Sequence, residues 1–363
     1  MLSLLLLTGT AFPCAALLTN DEGAIASSDA QEVVLQATET GSRTHYRVSY
    51  QGDADSFGWL IVVPGFVGEG DVIESEASLF DNLREQTQPR KFSYDIGDGG
   101  DEGESSSAGC GCGDLNARAG SNYEFDAADT AGGAVAVTAE GFAGPYSYQV
   151  LDATDADGLA GWLEDEGVSL GDTVTTLDEY IAEGGYSFVA VSLTPDENQT
   201  PDEGRTLPPL AIDSDSSTLQ FPARMSLTGM AEELRTTVWV VGETTARITE
   251  GWTSTDVFEL SASDGDAEGA YDAALRAAAV AEPAGYLASF SGEYNGFWVT
   301  RFDALAPREV HTADPVFDFL DEAYSWRLDI EVPANEDDDT ALSALWLFAP
   351  LLGLGWVRRR HQA

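Results

Sequence analysis

Residues 341–357, Ala341-Leu-Ser-Ala-Leu-Trp-Leu-Phe-Ala-Pro-Leu-Leu-Gly-Leu-Gly-Trp-Val357, carry no charge, and Arg358, Arg359 and Arg360 follow directly. As a helix, this stretch rises about 1.5 Å per residue and so reaches roughly 25 Å, enough just to cross a hydrocarbon core of about 30 Å. Glu336, Asp337, Asp338 and Asp339 precede it. Basic residues favour the cytoplasmic side, so the pattern predicts a transmembrane helix at 341–357, a cytoplasmic tail at 358–363 and a body outside the membrane. Trp346 and Trp356 lie near the two ends, where amphipathic rings suit the headgroup level. Pro350, Gly353 and Gly355 are tolerated in membrane spans. The competing reading is a core helix, which would not need an apolar circumference.

This ending resembles the C-terminal sorting signals of exported bacterial proteins. Only Asn335 to Thr340 stands where such signals carry a recognition motif, so retention and cleavage of the tail both stay open. At the other end, Met1 to Leu7 with Gly9-Thr10-Ala11 reads as a signal peptide within 1–16, although no Lys or Arg precedes Arg43. An initiation site placed too far downstream explains the missing basic region. Cleavage after Ala11 and after Ala16 both fit. Cys14 follows Pro13, a poor context for lipid modification.

The body, 17–332, is followed by an acidic stem at 333–340. A formal charge of −46 with a single lysine, Lys91, excludes a nucleic-acid partner, because neutralising phosphates takes clustered cations. Such a surface matches salt adaptation, in which screening relieves self-repulsion. An ordinary acidic secreted protein is the alternative. Hydrophobic residues make up 43% of the chain, and a chain this long buries about three quarters of its unfolded surface, so a true core is expected.

Val33 to Gln36, Thr44 to Tyr50 and Trp59 to Val63 read as an antiparallel meander of β-branched and aromatic strands. Ser78 to Gln86 is helical, with Leu79 and Leu83 on one face. Ala134 to Thr138 and Tyr146 to Leu151 are strands. Two helices then place Leu159, Trp162 and Leu163 on one stripe and Leu177, Tyr180 and Ile181 on another. Tyr186 to Leu193, Thr218 to Leu227, Thr237 to Val241 and Gly296 to Phe302 complete the strands. The class is α+β, with mixed or antiparallel sheets and short helices.

Asp152-Ala-Thr-Asp-Ala-Asp-Gly-Leu-Ala-Gly-Trp-Leu-Glu164, Leu177 to Ile181, Tyr186 to Leu193, Leu207-Pro-Pro-Leu210 and Leu219 to Leu227 resemble the bacterial domain of unknown function 2330 family. Thr300 to Phe302 with Leu305 to Asp314 is similar to its C-terminal block, and Trp59 to Pro64 with Ala77 to Leu83 to its N-terminal one. The resemblance covers most of residues 14–317. It implies an exported envelope protein, often anchored by a C-terminal span, and no catalytic residues. Cys-Gly repeats often follow the signal in that family, whereas only Cys14 stands there in this chain.

Asp155, Asp157, Gly158 and Glu164 fill positions 3, 5, 6 and 12 of an EF-hand calcium loop, but Ala153 stands at position 1. The preferred reading is a helix cap by Asp155 or Asp157. Cys110 and Cys112 lie in a Gly, Ser and acid-rich insertion at 95–122, read as a mobile loop. Outside the cytoplasm they point to a disulfide, with each other or through Cys14; a tetrahedral metal site would need four ligands. Weak cation binding is the one cofactor-like property expected.

For catalysis the inventory is thin. His45 shares a polar strand face with Arg47 and Ser49, opposite Tyr46, Val48 and Tyr50. His311 lies in a loop between Pro307 and Pro315, and His361 follows the arginine cluster. No nucleophile elbow, zinc-binding helix or phosphate-cradling loop is present in the sequence. The expected function is a non-catalytic binding or structural module of the cell envelope, touching the membrane through 341–357 and an unidentified ligand or envelope protein. The alternative is an extracytoplasmic hydrolase using carboxylates or a bound cation.

Overall fold

The computed structural model describes residues 16–19, 26–52, 57–94, 133–166, 174–193, 205–227, 230–262 and 265–333. Chain order runs β1 (Ala16–Thr19), β2 (Ala26–Ala37), β3 (Ser42–Gly52), β4 (Phe57–Pro64) and β5 (Val72–Glu74), then helix α1 (Ala77–Thr87) and β6 (Arg90–Tyr94). Next come β7 (Val135–Ala143), β8 (Tyr146–Ala153), α2 (Ala156–Asp165), α3 (Val174–Glu183) and β9 (Tyr186–Leu193). Strands β10 (Arg205–Thr206), β11 (Leu210–Ser214) and β12 (Leu219–Gln220) lead to a 3-10 turn at Ala223–Leu227. Then follow β13 (Met230–Gly242), β14 (Ala246–Glu250), β15 (Thr253–Asp256), β16 (Glu259–Ser261) and α4 (Ala267–Ala279). The last strands are β17 (Gly285–Tyr294), β18 (Phe297–Pro307), β19 (Val316–Phe319), β20 (Trp326–Arg327) and β21 (Asp329–Pro333).

Two large sheets stack. One has five strands in the order β1-β4-β9-β8-β7; the other runs β15-β17-β18-β13-β2-β3-β11-β5, with β10 and β20 attached at its sides. Their facing surfaces make the main core, in which Val33, Tyr46 and Phe302 of the larger sheet meet Trp59, Ile61 and Val191 of the smaller. On the far side of the smaller sheet, Leu60, Val62 and Phe188 pack under Leu159 and Trp162 of α2 and Tyr180 of α3. On the far side of the larger sheet, Phe80 and Leu83 of α1 cover Val34 and Trp239. There α4 covers Leu287 and Leu305 through Tyr271 and Leu275. The layers are therefore helix, sheet, sheet, helix, an α+β class with mixed strand directions: β2 and β13 are parallel, while β2 and β3 are antiparallel.

Three expectations change. Trp59 to Val63 does not continue a meander with β3; it pairs with β9 in the other sheet. Its unbroken apolar run is the reason, because a strand buried on both faces belongs in the middle of a covered sheet. Thr218 to Leu227 is a two-residue strand followed by a 3-10 turn, since Pro222 has no N–H to offer a ladder. Helix α4, not expected, buries Ala267, Tyr271, Leu275 and Ala279 at fourfold spacing, a stripe half made of alanine and so faint in the sequence. Between β17 and β18 the chain turns on Asn295 and Gly296, both at positive φ, as a two-residue hairpin loop requires.

Among the described residues no helix is long and apolar enough to cross a membrane. Residues 1–15, the insertion at 95–122 and the expected span at 341–357 lie outside them.

Candidate functional site

The polar face of β3 predicted from alternation exists, but it is not a solvated face. Tyr46 and Val48 point into the main core, and Arg47 on the opposite face is only 6% exposed because α1 lies over it. Its guanidinium stacks 4.7 Å from the ring centroid of Phe80. Arg47 donates through Nε to Glu32 Oε2 at 2.6 Å, across the β2–β3 ladder, and through Nη1 to Asp81 Oδ1 of α1, also at 2.6 Å. Arg84, one turn along α1, donates through Nη2 to the other oxygen of Glu32 at 2.6 Å. The four charges grade from inside to outside: Arg47 and Glu32 are 6% and 14% exposed, Arg84 and Asp81 53% and 62%. Arg47 Nη2 is buried and has no hydrogen-bond partner.

These residues line a cleft of about 380 Å³, closed on its far side by Thr206, Leu207, Pro208 and Pro209. The strap is pinned by β10, which pairs Thr206 with Ser49, and by Leu207 N–H donating to the Val48 carbonyl at 2.9 Å. Its prolines present apolar carbons and few donors. The cleft thus sets two guanidinium groups and two carboxylates against a short apolar wall.

Behind that wall stands a serine and histidine pair. His45 Nδ1 lies 2.7 Å from Ser75 Oγ, and the Ser75 N–H donates to the Pro209 carbonyl at 2.9 Å. Burial, aided by the Arg43 charge, lowers the His45 pKa to about 4, so the imidazole is neutral near pH 7. A catalytic triad needs the hydroxyl on one ring nitrogen and a carboxylate on the other. The adjacent carboxylate, Asp213, is instead gripped at both oxygens by Arg43, at 2.5 and 2.7 Å. Ser75 is itself only 7% exposed.

Two further polar clusters are built on buried carboxylates, Asp303 and Asp314. Asp303 on β18 takes Arg301 at both oxygens, 2.9 Å from Nη2 and 2.8 Å from Nε, and also accepts from Thr237, Ser289 and Tyr271 at 2.6–2.8 Å. Burial alone would raise this carboxyl, but Arg301 and the Ser289 and Tyr271 hydroxyls outweigh it and hold the pKa below the usual carboxylate range. Arg224 joins Asp314 at 2.9 Å to Glu183 of α3 at 2.9 Å and lies 4.2 Å over the Tyr180 ring. This ties the helical layer to the loop before β19. In that same loop His311 is 1% exposed and packs 5.5 Å from Trp252. Neither ring nitrogen has a partner in hydrogen-bonding geometry. Burial lowers its pKa to about 4, although the Ala306 backbone lies close enough to oppose the shift in part.

The calcium-loop residues are placed by helix α2. Asp155 is its N-cap, accepting from the Gly158 N–H at 2.6 Å. Asp157 follows in the first turn, and Glu164, seven residues later on the same helix, is roughly 10 Å away along its axis at 1.5 Å per residue. A helix there replaces the loop that would fold these carboxylates around one ion. Among the described residues no group of three or more His, Cys, Asp or Glu side chains is arranged to hold a metal. Cys110 and Cys112 lie outside the described residues.

Sequence reading found Arg47 and His45 as face-sharing residues but missed the cleft. Glu32, Arg84 and Thr206 come from three separate segments, and only the approach of α1 to the β2–β3 ladder joins them. The family model described as "Uncharacterized protein conserved in bacteria (DUF2330)" matches residues 9–279. That span holds every residue of the cleft and stops short of the Arg301–Asp303 pair and of the block at 300–314. No curated protein matches the chain.

Proposed function

The chain belongs to the DUF2330 family of bacterial proteins, and on that premise we propose that it is a non-catalytic binding module of the cell envelope, exported and held at the membrane by residues 341–357. The observation that carries the binding half of this reading is the cleft, in which a preformed guanidinium pair faces an apolar strap at the protein surface. The chemistry against a hydrolase is the engagement of the described groups best suited to acid–base work. The Ser75 hydroxyl beside His45 is buried and the adjacent Asp213 is held by Arg43, His311 is enclosed beside Trp252, and the Asp303 carboxylate already accepts from four side chains. A general base needs a free lone pair aimed at a substrate.

The envelope half rests on the charge pattern of the tail and the acidic body. Protease added to intact spheroplasts tests it. Degradation of the body, with a short fragment around residues 341–363 surviving, is expected. Full protection, together with a cytoplasmic signal from a reporter fused at Val332, would overturn it.

A further inference from the structure

Resting on the binding-module reading, we propose that the cleft takes a carboxylate borne on a short apolar group, which displaces Asp81 from Arg47. Arg47 is the reason. Its guanidinium is fixed by Glu32 on one side and by the Phe80 ring beneath, and it meets Asp81 through Nη1 alone, leaving Nη2 without a partner. A buried donor left without a partner is costly, and a guanidinium prefers a carboxylate across both nitrogens. Asp81, fixed to α1, makes the single contact, and its side chain is 62% exposed. An incoming carboxylate that lies flat on Nη1 and Nη2 makes both.

The exchange is nearly even in charge. One carboxylate leaves for water and another replaces it, while the inner Arg47–Glu32 pair is undisturbed. Arg84 stands beside the vacated position, 3.9 Å from Asp81, and its exposed guanidinium supplies the second cation. The strap sets the rest of the ligand: Pro208, its exposed proline, offers carbon surface, so an alkyl group next to the carboxylate is buried against it, while Thr206 offers a hydroxyl at the mouth. The surplus of acids elsewhere on the chain repels anions, but at physiological ionic strength charges beyond about 8 Å are largely screened. An amino acid and the C-terminus of a peptide share this chemistry.

Titration calorimetry on the full-length chain in detergent tests the proposal, with acetyl-trialanine, its C-terminal amide and free alanine as probes. The free-acid peptide should bind in the millimolar range or tighter and the amide at least about tenfold more weakly, the loss expected for a charge-assisted contact. Arg84→Gln should weaken the acid about tenfold, and Asp81→Asn, which removes the competing anion, should tighten it severalfold. Alanine binding as well as the blocked peptide supports a small-molecule ligand; preference for the peptide supports a protein terminus. Equal binding of acid and amide, or no response to either variant, overturns the assignment, as does no heat from the acid with Asp81→Asn. A failure here, with the body still degraded in spheroplasts, would remove the carboxylate site and leave the envelope placement standing.

Discussion

Acid should unfold this protein through its buried histidines, and His311 gives the cleanest measurement. The ring is 1% exposed and its pKa is lowered to about 4, against about 6.5 in an unfolded chain. The sign follows from proton binding. Between these values the unfolded state holds a proton that the native ring refuses, so stability is full above about pH 6.5 and falls as pH drops toward 4. At pH 4.5 the loss attributable to this one residue is about 2–3 kcal/mol, from 1.36 kcal/mol per unit over the part of the gap already titrated. That is a large fraction of a typical stability of about 5–15 kcal/mol. His311→Leu keeps an apolar side chain against Trp252 and discards two buried nitrogens that have no partner in hydrogen-bonding geometry. Urea melts of wild type and variant at pH 7 and pH 4.5 isolate the effect, because the titration of every carboxylate is common to both. The variant should match or exceed wild type at pH 7 and lose about 2–3 kcal/mol less on acidification. A wild-type and variant difference that does not change with pH would show that the ring titrates normally, and that the enclosure described for this loop is wrong.

Two other outcomes follow from the charges. Asp303→Asn leaves Arg301 buried without a counter-charge and should cost about 3–5 kcal/mol in urea melts, whereas Asp81→Asn at the exposed cleft rim should cost under about 1 kcal/mol; equal losses would mean that the two sites are not graded by burial as described. Raising NaCl to about 1 M shortens the screening length to roughly 3 Å and should raise the melting temperature of a chain with 63 acids and 17 Lys and Arg; an unchanged melting temperature would remove the salt-adaptation reading.

Periodicity by itself determined which side of α2 and of β3 faces the core. Leu159, Trp162 and Leu163 lie on the covered stripe of α2, Tyr46 and Val48 on the core side of β3, and Asp155 at a helix start, because each follows from neighbours within one or two turns of chain. The partnership of strands was not local in this sense. That β4 leaves β3 to pair with β9, some 130 residues later in the chain, depends on which sheet can cover an all-apolar strand on both faces. The same distinction separates Arg47 as a sequence residue from Arg47 as a site. Alternation puts it on the polar face, where long charged side chains are usually solvated. Only the docking of α1 and the β10 strap turns that face into a cleft, by bringing Glu32, Asp81 and Arg84 to one guanidinium across separations that no pattern in the sequence records.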